Sequence, residues 1–507
     1  MSYRSQSHRL EEVIKQFART DPAALAVVSP KYHPLSYTQL ADQIDHVAES
    51  LTQSGFDRSS RIAIAIKDNA LAALAIVTIA CSAVAVPLDQ NLAEAEIETR
   101  LKLLEVDAVF GLSGEITAAK TAAEKCGIPF VELMPNDKGK LGFSLSVLQV
   151  ARKADIDDLA IDTVAVIFQT SGTTAEPKLV PCLHSNLLAT AQNARGWFHL
   201  DQHDRCLSIA PPYYSHGLTL TILTPLLSGG SVAFPSSLTQ PNLSEWFELL
   251  SPTWFSASPT MHLVISEMLE SDSSSLKHHV RLASSGGAKL PESLRLKLEV
   301  QLGIQMLEHY GMTEASQVSS NLPPPGPKKP DTLGVPPAET IMIAGPDGNG
   351  LPQGETGEVL VRGPNVIKGY LKNPELNQAA FRDGWFRTGD LGSFDQEGFL
   401  QISGRIKEFI NRGGEKISPF EIEAVLIKHP NVLEAVAFAV PHPRLGEDVS
   451  AVVVLRPGAT VAAGDFRRFM GAQLSWSKVP RRVHIIESIP KGSGGKVLRN
   501  KLSEIYS

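Results

Sequence analysis

The chain is short of the features that mark several classes of protein. Only four of its 507 residues are cysteine. Cys81, Cys126, Cys182 and Cys206 stand far apart, with no CxxC pair or Cys/His cluster, which fits neither a zinc site nor a secreted disulfide framework. A reducing, cytoplasmic setting is expected. Charge of one sign is scarce too: 47 Lys and Arg against 54 Asp and Glu leave a net charge of −7, and a nucleic-acid coat is not expected. The one long apolar stretch, Ala70 to Leu88, is rich in alanine, is interrupted by Thr78 and Ser82, and ends in Val86-Pro87-Leu88-Asp89. It reads as a buried helix running into a short strand rather than a membrane span. The first ten residues carry no apolar core followed by small residues, so no signal peptide is expected. Ile505-Tyr506-Ser507 is not the Ser-Lys-Leu peroxisomal address.

What is present points to a multidomain globular chain, since this length accommodates about two to five cores. Helical patterns such as Leu10–Phe17 and Leu40–Leu51 alternate with short β-rich runs such as Ile62–Ile66 and Val164–Phe168. That alternation predicts an α/β body with parallel sheets. Residues 323–330 form a proline-rich surface loop, after which Glu339–Ile343 and Glu358–Arg362 alternate like antiparallel strands of a smaller sheet. From Gly404 a compact α+β segment begins, with helices over Ile422–Lys428 and near Phe466–Leu474 and strands over Leu433–Val440 and Val452–Leu455. Two domains are expected, 1–403 and 404–507.

The most informative stretch follows the apolar run Val164–Phe168: Gln169-Thr170-Ser171-Gly172-Thr173-Thr174-Ala175-Glu176-Pro177-Lys178. Short hydroxyls, a glycine and a lysine after a strand suit a triphosphate, because backbone N–H groups and hydroxyls converge on its oxygens. It is not a Walker loop. Alone, it reads equally well as a polar surface loop.

Thr170–Lys178 resembles the phosphate loop of the acyl-adenylate-forming superfamily, which includes acyl-CoA synthetases, adenylation domains of peptide synthetases and beetle luciferases. The family's other signatures follow in order. Residues 308–314, Glu-His-Tyr-Gly-Met-Thr-Glu, resemble its adenine and magnesium motif, and Thr388-Gly389-Asp390 its ribose motif. Gly404-Arg405-Ile406-Lys407 resembles the interdomain hinge, and residues 490–499 the terminal loop with the catalytic lysine, Lys496. Residues 405–421 are most similar to small-acid CoA ligases of the oxalyl-CoA synthetase type. The resemblance implies a large N-terminal α/β domain with sandwiched sheets and a smaller β subdomain, and a mobile C-terminal α+β lid.

It also implies a reaction. ATP activates a small carboxylic acid as its acyl-adenylate with release of pyrophosphate, Mg²⁺ assisting, and the thiol of CoA then displaces AMP. Both reactants of the first step are anionic, so cations must offset their repulsion. Glu314, a hard oxygen ligand, would hold Mg²⁺ on the phosphates, Thr313 would donate to the α-phosphate, and Lys496 would bring the second cation. Thr170, Ser171, Gly172, Thr173, Thr174 and Lys178 would cradle phosphates. Gly287, Ala288, Glu308, Tyr310 and Gly311 would surround adenine, with Tyr310 offering a flat face, while Asp390 would accept both ribose hydroxyls with Arg405 behind it. His216, Ser256, Gly286 and Met312 would line the acyl pocket, where the glycine leaves room for substrate. His216 alone reads also as a core histidine, and Ser256 as a serine satisfying its own backbone. Lys407 would be the pivot, and Gly413-Gly414 either approach the pantetheine arm or form a plain turn.

Ala175 departs from the family, which usually has glycine there; if φ is positive, the added Cβ is expected to slow adenylation, leaving in the extreme case an enzyme that mainly performs thiolation. No aspartate lies between Pro211 and Gly217 to pair with an ammonium, which disfavours amino-acid substrates. A phosphopantetheinyl carrier protein is the alternative acceptor. A luciferase-like oxidation and a non-catalytic nucleotide binder are the other classes, and the presence of both Lys496 and Glu314 disfavours the latter.

Overall fold

The computed structural model describes residues 9–115, 117–137, 139–146, 163–170, 177–271, 276–491 and 497–507. The chain divides into two compact units: Met1–Pro330 with Gly334–Pro336 and Arg362–Gly384, and Asp331–Leu333 with Pro337–Val361 and Trp385–Ser507.

The first unit is built on two sheets. In one, the parallel strands Phe130–Pro135, Ala108–Leu112, Arg61–Ala65, Val84–Pro87 and Val164–Thr170 lie side by side in that order, with Phe143–Leu145 and Lys178–Leu183 antiparallel at its edges. In the other, Gln305–Met312, Leu282–Ser285, Trp254–Ala257, Arg205–Leu207, Ser231–Ala233 and Leu25–Ser29 run parallel, flanked by the antiparallel strands Ser316–Ser320 and Tyr32–Ser36. Their central strands are apolar on both faces, as parallel strands covered on both sides must be.

The apolar stretch folds as the sequence predicts, into the helix Asn69–Ser82 and the strand Val84–Pro87. Asp68 caps the helix by accepting from the amides of Ala70 and Leu71, both at 3.1 Å. Every residue from Ala70 to Cys81 is buried, because the helix packs on the first sheet and on the segment His216–Leu223. A helix apolar all round has no face to give to water. His216–Leu223 is itself wound as a π-helix, whose amides reach back five residues, as that of Thr224 does to the carbonyl of Thr219.

The second unit has an antiparallel group, Ile341–Ala344, Gly357–Val361, Trp385–Phe394 and Leu400–Arg405. Its other sheet orders Glu415–Ile417, Ile410–Arg412, Gly446–Leu455 and Val432–His442, with Arg482–Ile485 parallel to Gly446–Leu455. Alternation along the long hairpin divides its core. Ala437, Val449, Ala451 and Val453 face one way, against Ile422 and Phe466 of the helices Pro419–Leu426 and Ala463–Gly471. Val436, Phe438, Val452 and Val454 face the other, against Leu502 of the helix Arg499–Tyr506.

Candidate active site

In the first unit the predicted residues gather where parallel strands end. Ser256 lies near the end of Trp254–Ala257, Gly286 to Ala288 follow Leu282–Ser285, and Thr313 and Glu314 follow Gln305–Met312. Ligands of open α/β sheets bind outside the carboxyl ends of strands, where loops leave a rigid frame. Thr313 and Glu314 occupy the tight turn that returns the chain as Ser316–Ser320. Glu308 and Tyr310 are buried on the strand before it, and Gly311, Met312 and Thr313 are half-buried. Gly287 and Ala288 are exposed.

A loop from distant sequence completes the carboxylate site. The amide of Ile367 donates to the Glu314 carbonyl at 2.9 Å. The Asn365 side-chain amide donates to the carbonyls of Ala315 and Gln317 at 2.7 and 3.0 Å. Asn377 clamps the backbone of Tyr370 from both sides, at 2.7 and 2.9 Å. So fixed, the Tyr370 hydroxyl donates to Oε1 of Glu314 at 2.9 Å, while the Lys178 ammonium stands 4.9 Å from the centre of its ring. Burial, and then the charge of Glu314, push the Tyr370 phenol far above its ordinary range, so it stays a donor. Oε2 of Glu314 has no hydrogen-bond partner among the described residues. A carboxylate with one oxygen fixed and the other free suits a hard cation such as Mg²⁺.

The acyl-side residues form a polar cluster deep in the sheet. His216 Nε2 lies 2.9 Å from Ser256 Oγ, and the Ser284 hydroxyl donates to Ser256 Oγ at 2.7 Å. His262 Nε2 lies 3.0 Å from the Ser284 carbonyl. The His216 and His309 rings meet edge to face at 5.4 Å. Burial pulls His216 down to about 4 and His262 also to about 4, the latter opposed by the Ser284 carbonyl and assisted by His216. His309 is held well below the ordinary value by burial and by the two neighbouring imidazoles. All three rings are therefore neutral at pH 7.

Gly286, expected to leave room for the acyl group, gives that room to His309: a Cβ there would lie 2.1 Å from His309 Nε2.

In the second unit, Asp390 is buried and pairs with Arg405 Nε at 2.9 Å, across the register that matches the two residues on adjacent strands. Thr388 orients it, donating to the Val359 carbonyl at 2.7 Å and accepting from the Asp390 amide at 3.0 Å. Lys407 is exposed in a short 3₁₀ turn, Ile406–Glu408. Gly413 and Gly414, with φ of +62° and +96°, make the two-residue turn between Ile410–Arg412 and Glu415–Ile417. Two successive positive φ values are what such a hairpin needs, so the turn alone accounts for both glycines.

Ser171, Gly172, Thr173, Thr174, Ala175 and Lys496 lie outside the described residues. Thr170 ends the strand before the phosphate loop and Lys178 begins the strand after it. The flanks of the lysine loop are anchored. Lys491 bridges to Val497 and pairs with Glu434 at 2.7 Å, and Arg499 binds Glu423 and, at 3.2 Å, Glu408.

Sequence reasoning passed over Tyr370 and His262. No local pattern singles out Tyr370, whose partner is 56 residues away. His262 had a faint signal, since His262, Ile265 and Ser266 form one buried stripe at helical spacing on Pro259–Ser271.

The chain is similar to known proteins. The AMP-binding enzyme family model matches residues 14–371, and the AMP-binding enzyme C-terminal domain model matches 421–496. An oxalate–CoA ligase of Arabidopsis thaliana is 35% identical over 98% of both chains. A sulfoacetate–CoA ligase of Cupriavidus necator is 32% identical over 93% of this chain and 92% of its own. The ATP-bound crystal structure of MatB from Rhodopseudomonas palustris superposes with a TM-score of 0.86 at 29% identity, covering 98% of this chain and 99% of that one.

Proposed function

As a member of the AMP-binding enzyme family, to which this chain belongs, the protein is an AMP-forming acid–CoA ligase using ATP, Mg²⁺ and CoA, and we propose that its acid is small and polar. The reaction has two halves: the acid carboxylate attacks the α-phosphorus of ATP with loss of pyrophosphate, and the CoA thiol then attacks the acyl carbon with loss of AMP.

The observation that carries the assignment of residues is the Glu314–Tyr370–Lys178 cluster, an anion and a cation held on one buried tyrosine. Glu314 is the proposed Mg²⁺ ligand, through the oxygen that Tyr370 leaves free. Bound Mg²⁺ neutralises charge on the phosphates. Lys178 and the hydroxyls of 170–174 bind phosphate oxygens, Thr313 donates to the α-phosphate, Tyr310 carries adenine, and Asp390, braced by Arg405, accepts from the ribose. Residues 404–507 act as a lid pivoting at Lys407, presenting Lys496 for adenylation and withdrawing it for thiolation.

The acyl side supports the polarity of the acid. A cluster of neutral imidazoles and serine hydroxyls offers hydrogen bonds rather than an apolar wall, and no aspartate lies between Pro211 and Gly217 to balance an ammonium. Oxalate and sulfoacetate, for which two relatives are named, are small acids with further oxygens. Four unpaired cysteines are in keeping with a cytoplasmic enzyme. A phosphopantetheinyl carrier protein is the alternative acceptor.

The test is pyrophosphate release with ATP, Mg²⁺ and a panel of short, aromatic and fatty acids, with and without CoA, and products identified by mass. Release driven by a short polar acid together with its CoA thioester is expected. Preference for a long alkyl chain would overturn the proposed acid class. In the same assay Lys496→Ala should lose pyrophosphate exchange yet still form thioester from a supplied acyl-adenylate.

A further inference from the structure

The serines behind His216 decide which of its nitrogens carries the proton. A carbonyl only accepts, so the 3.0 Å contact to the Ser284 carbonyl puts the proton of neutral His262 on Nε2. The Ser284 hydroxyl spends its own proton on Ser256 Oγ at 2.7 Å. Ser256 then has one proton and two acceptors in reach, the Ser284 carbonyl at 3.3 Å and His216 Nε2 at 2.9 Å. The carbonyl is already engaged by His262 and is the more distant. A chain running Ser284 to Ser256 to His216 also keeps its dipoles aligned, each bond strengthening the next. His216 thus accepts at Nε2, and as a neutral ring it carries its proton on Nδ1. Among the described residues that Nδ1–H has no partner. Nearby, Ser285 Oγ and the Nδ1 atoms of His262 and His309 are buried without partners, and buried polar groups of that kind call for a polar partner.

We propose that Ser256 and Ser284 are positioning residues that hold His216 as its Nδ1–H tautomer, so that the acyl pocket selects acids carrying an oxygen acceptor beyond the reacting carboxylate. The acceptor is a second carboxylate, a sulfonate or a keto oxygen. An alkyl group in the same place leaves the donor buried and unpaired, which penalises it. An ammonium meets a donor facing a donor. This rests on the acid–CoA ligase reading, and it adds what that reading leaves open: the mark by which the acid is recognised, and two residues that set it through His216.

The test has a spectroscopic and a kinetic arm, both on the full chain. In protein labelled with ¹⁵N-histidine, long-range ¹H–¹⁵N correlation reports the tautomer of each ring, and His216 is identified by the signal lost in His216→Gln. Wild type should show Nδ1–H at His216, and Ser256→Ala should move the proton to Nε2, with Ser284→Ala moving it part of the way. A packing defect alone would lower the melting temperature and leave the tautomer in place. In the kinetic arm, kcat/KM for oxalate and malonate is compared with that for acetate and propionate. Wild type should favour the first pair, and Ser256→Ala should shrink that preference by about tenfold, the size of one hydrogen bond to an ionised acceptor, with KM for ATP unchanged. An Nε2–H tautomer in wild type, or a preference that survives Ser256→Ala intact, overturns the proposal. Wild type that makes no CoA thioester from any acid would instead overturn the ligase reading, and the tautomer would still be read from the spectrum.

Discussion

Two regions of the first unit solve burial in opposite ways. Around Tyr370, formal charges are kept: Glu314 and Lys178 are half-buried, and one neutral phenol stands between them. Around Ser256 three imidazoles are held neutral, chiefly by burial. The difference follows the cost of desolvation. A half-exposed group keeps part of its water, whereas an ion inside a sheet would cost far more than its contacts return. One region presents formal charges; the other presents only directed dipoles.

The comparison can be broken in several places. The largest effect should come from pH. His216 and His262 have folded values of about 4 against an ordinary 6.5, so below pH 6.5 the unfolded chain binds protons that the folded one refuses. Stability should be full above pH 6.5 and fall towards pH 4, by about tenfold in the folded-to-unfolded ratio per pH unit for each histidine. Since the rings face one another, protonating one raises the cost of the next. Melting temperatures that stay flat between pH 7 and 4.5 would mean that the imidazoles are not held neutral.

Next in size is Glu314→Gln. ATP–pyrophosphate exchange should drop by about a hundredfold, the scale of one electrostatic contact to a transition state, with little change in melting. Gly286→Ala should act in the reverse manner, destabilising by about 1–3 kcal/mol in denaturant titration as His309 is displaced. Smallest is Tyr370→Phe, which keeps the ring under Lys178 but releases Glu314. MgATP binding measured by calorimetry should weaken by about tenfold. Unchanged MgATP binding would show that Glu314 needs no support.

How much of this was legible beforehand depended on how local the cause was. The helix Asn69–Ser82 and the strand after it were readable, because hydrophobicity and the Val-Pro ending act within twenty residues. The antiparallel pair Ile341–Ala344 and Gly357–Val361 was readable from alternation. Glu314, Asp390 and His216 were singled out through motifs. The Asp390–Arg405 pair joins two residues that the reading had assigned to one ribose. Tyr370 was not readable, since its importance is created by Asn365 and Asn377 fastening a remote loop. Nor was the filling of Gly286 by His309, because glycine in a sequence says that space is needed without saying who takes it.

The wholly buried helix Asn69–Ser82 also bears on how the protein is made. It leaves the ribosome early, but the π-helical segment His216–Leu223 that covers part of it comes much later in the chain. At about 5–20 residues per second, the part of its apolar surface that this segment covers waits roughly seven to thirty seconds. The newborn chain, more than the finished enzyme, is the stage at which this apolar surface is exposed to aggregation.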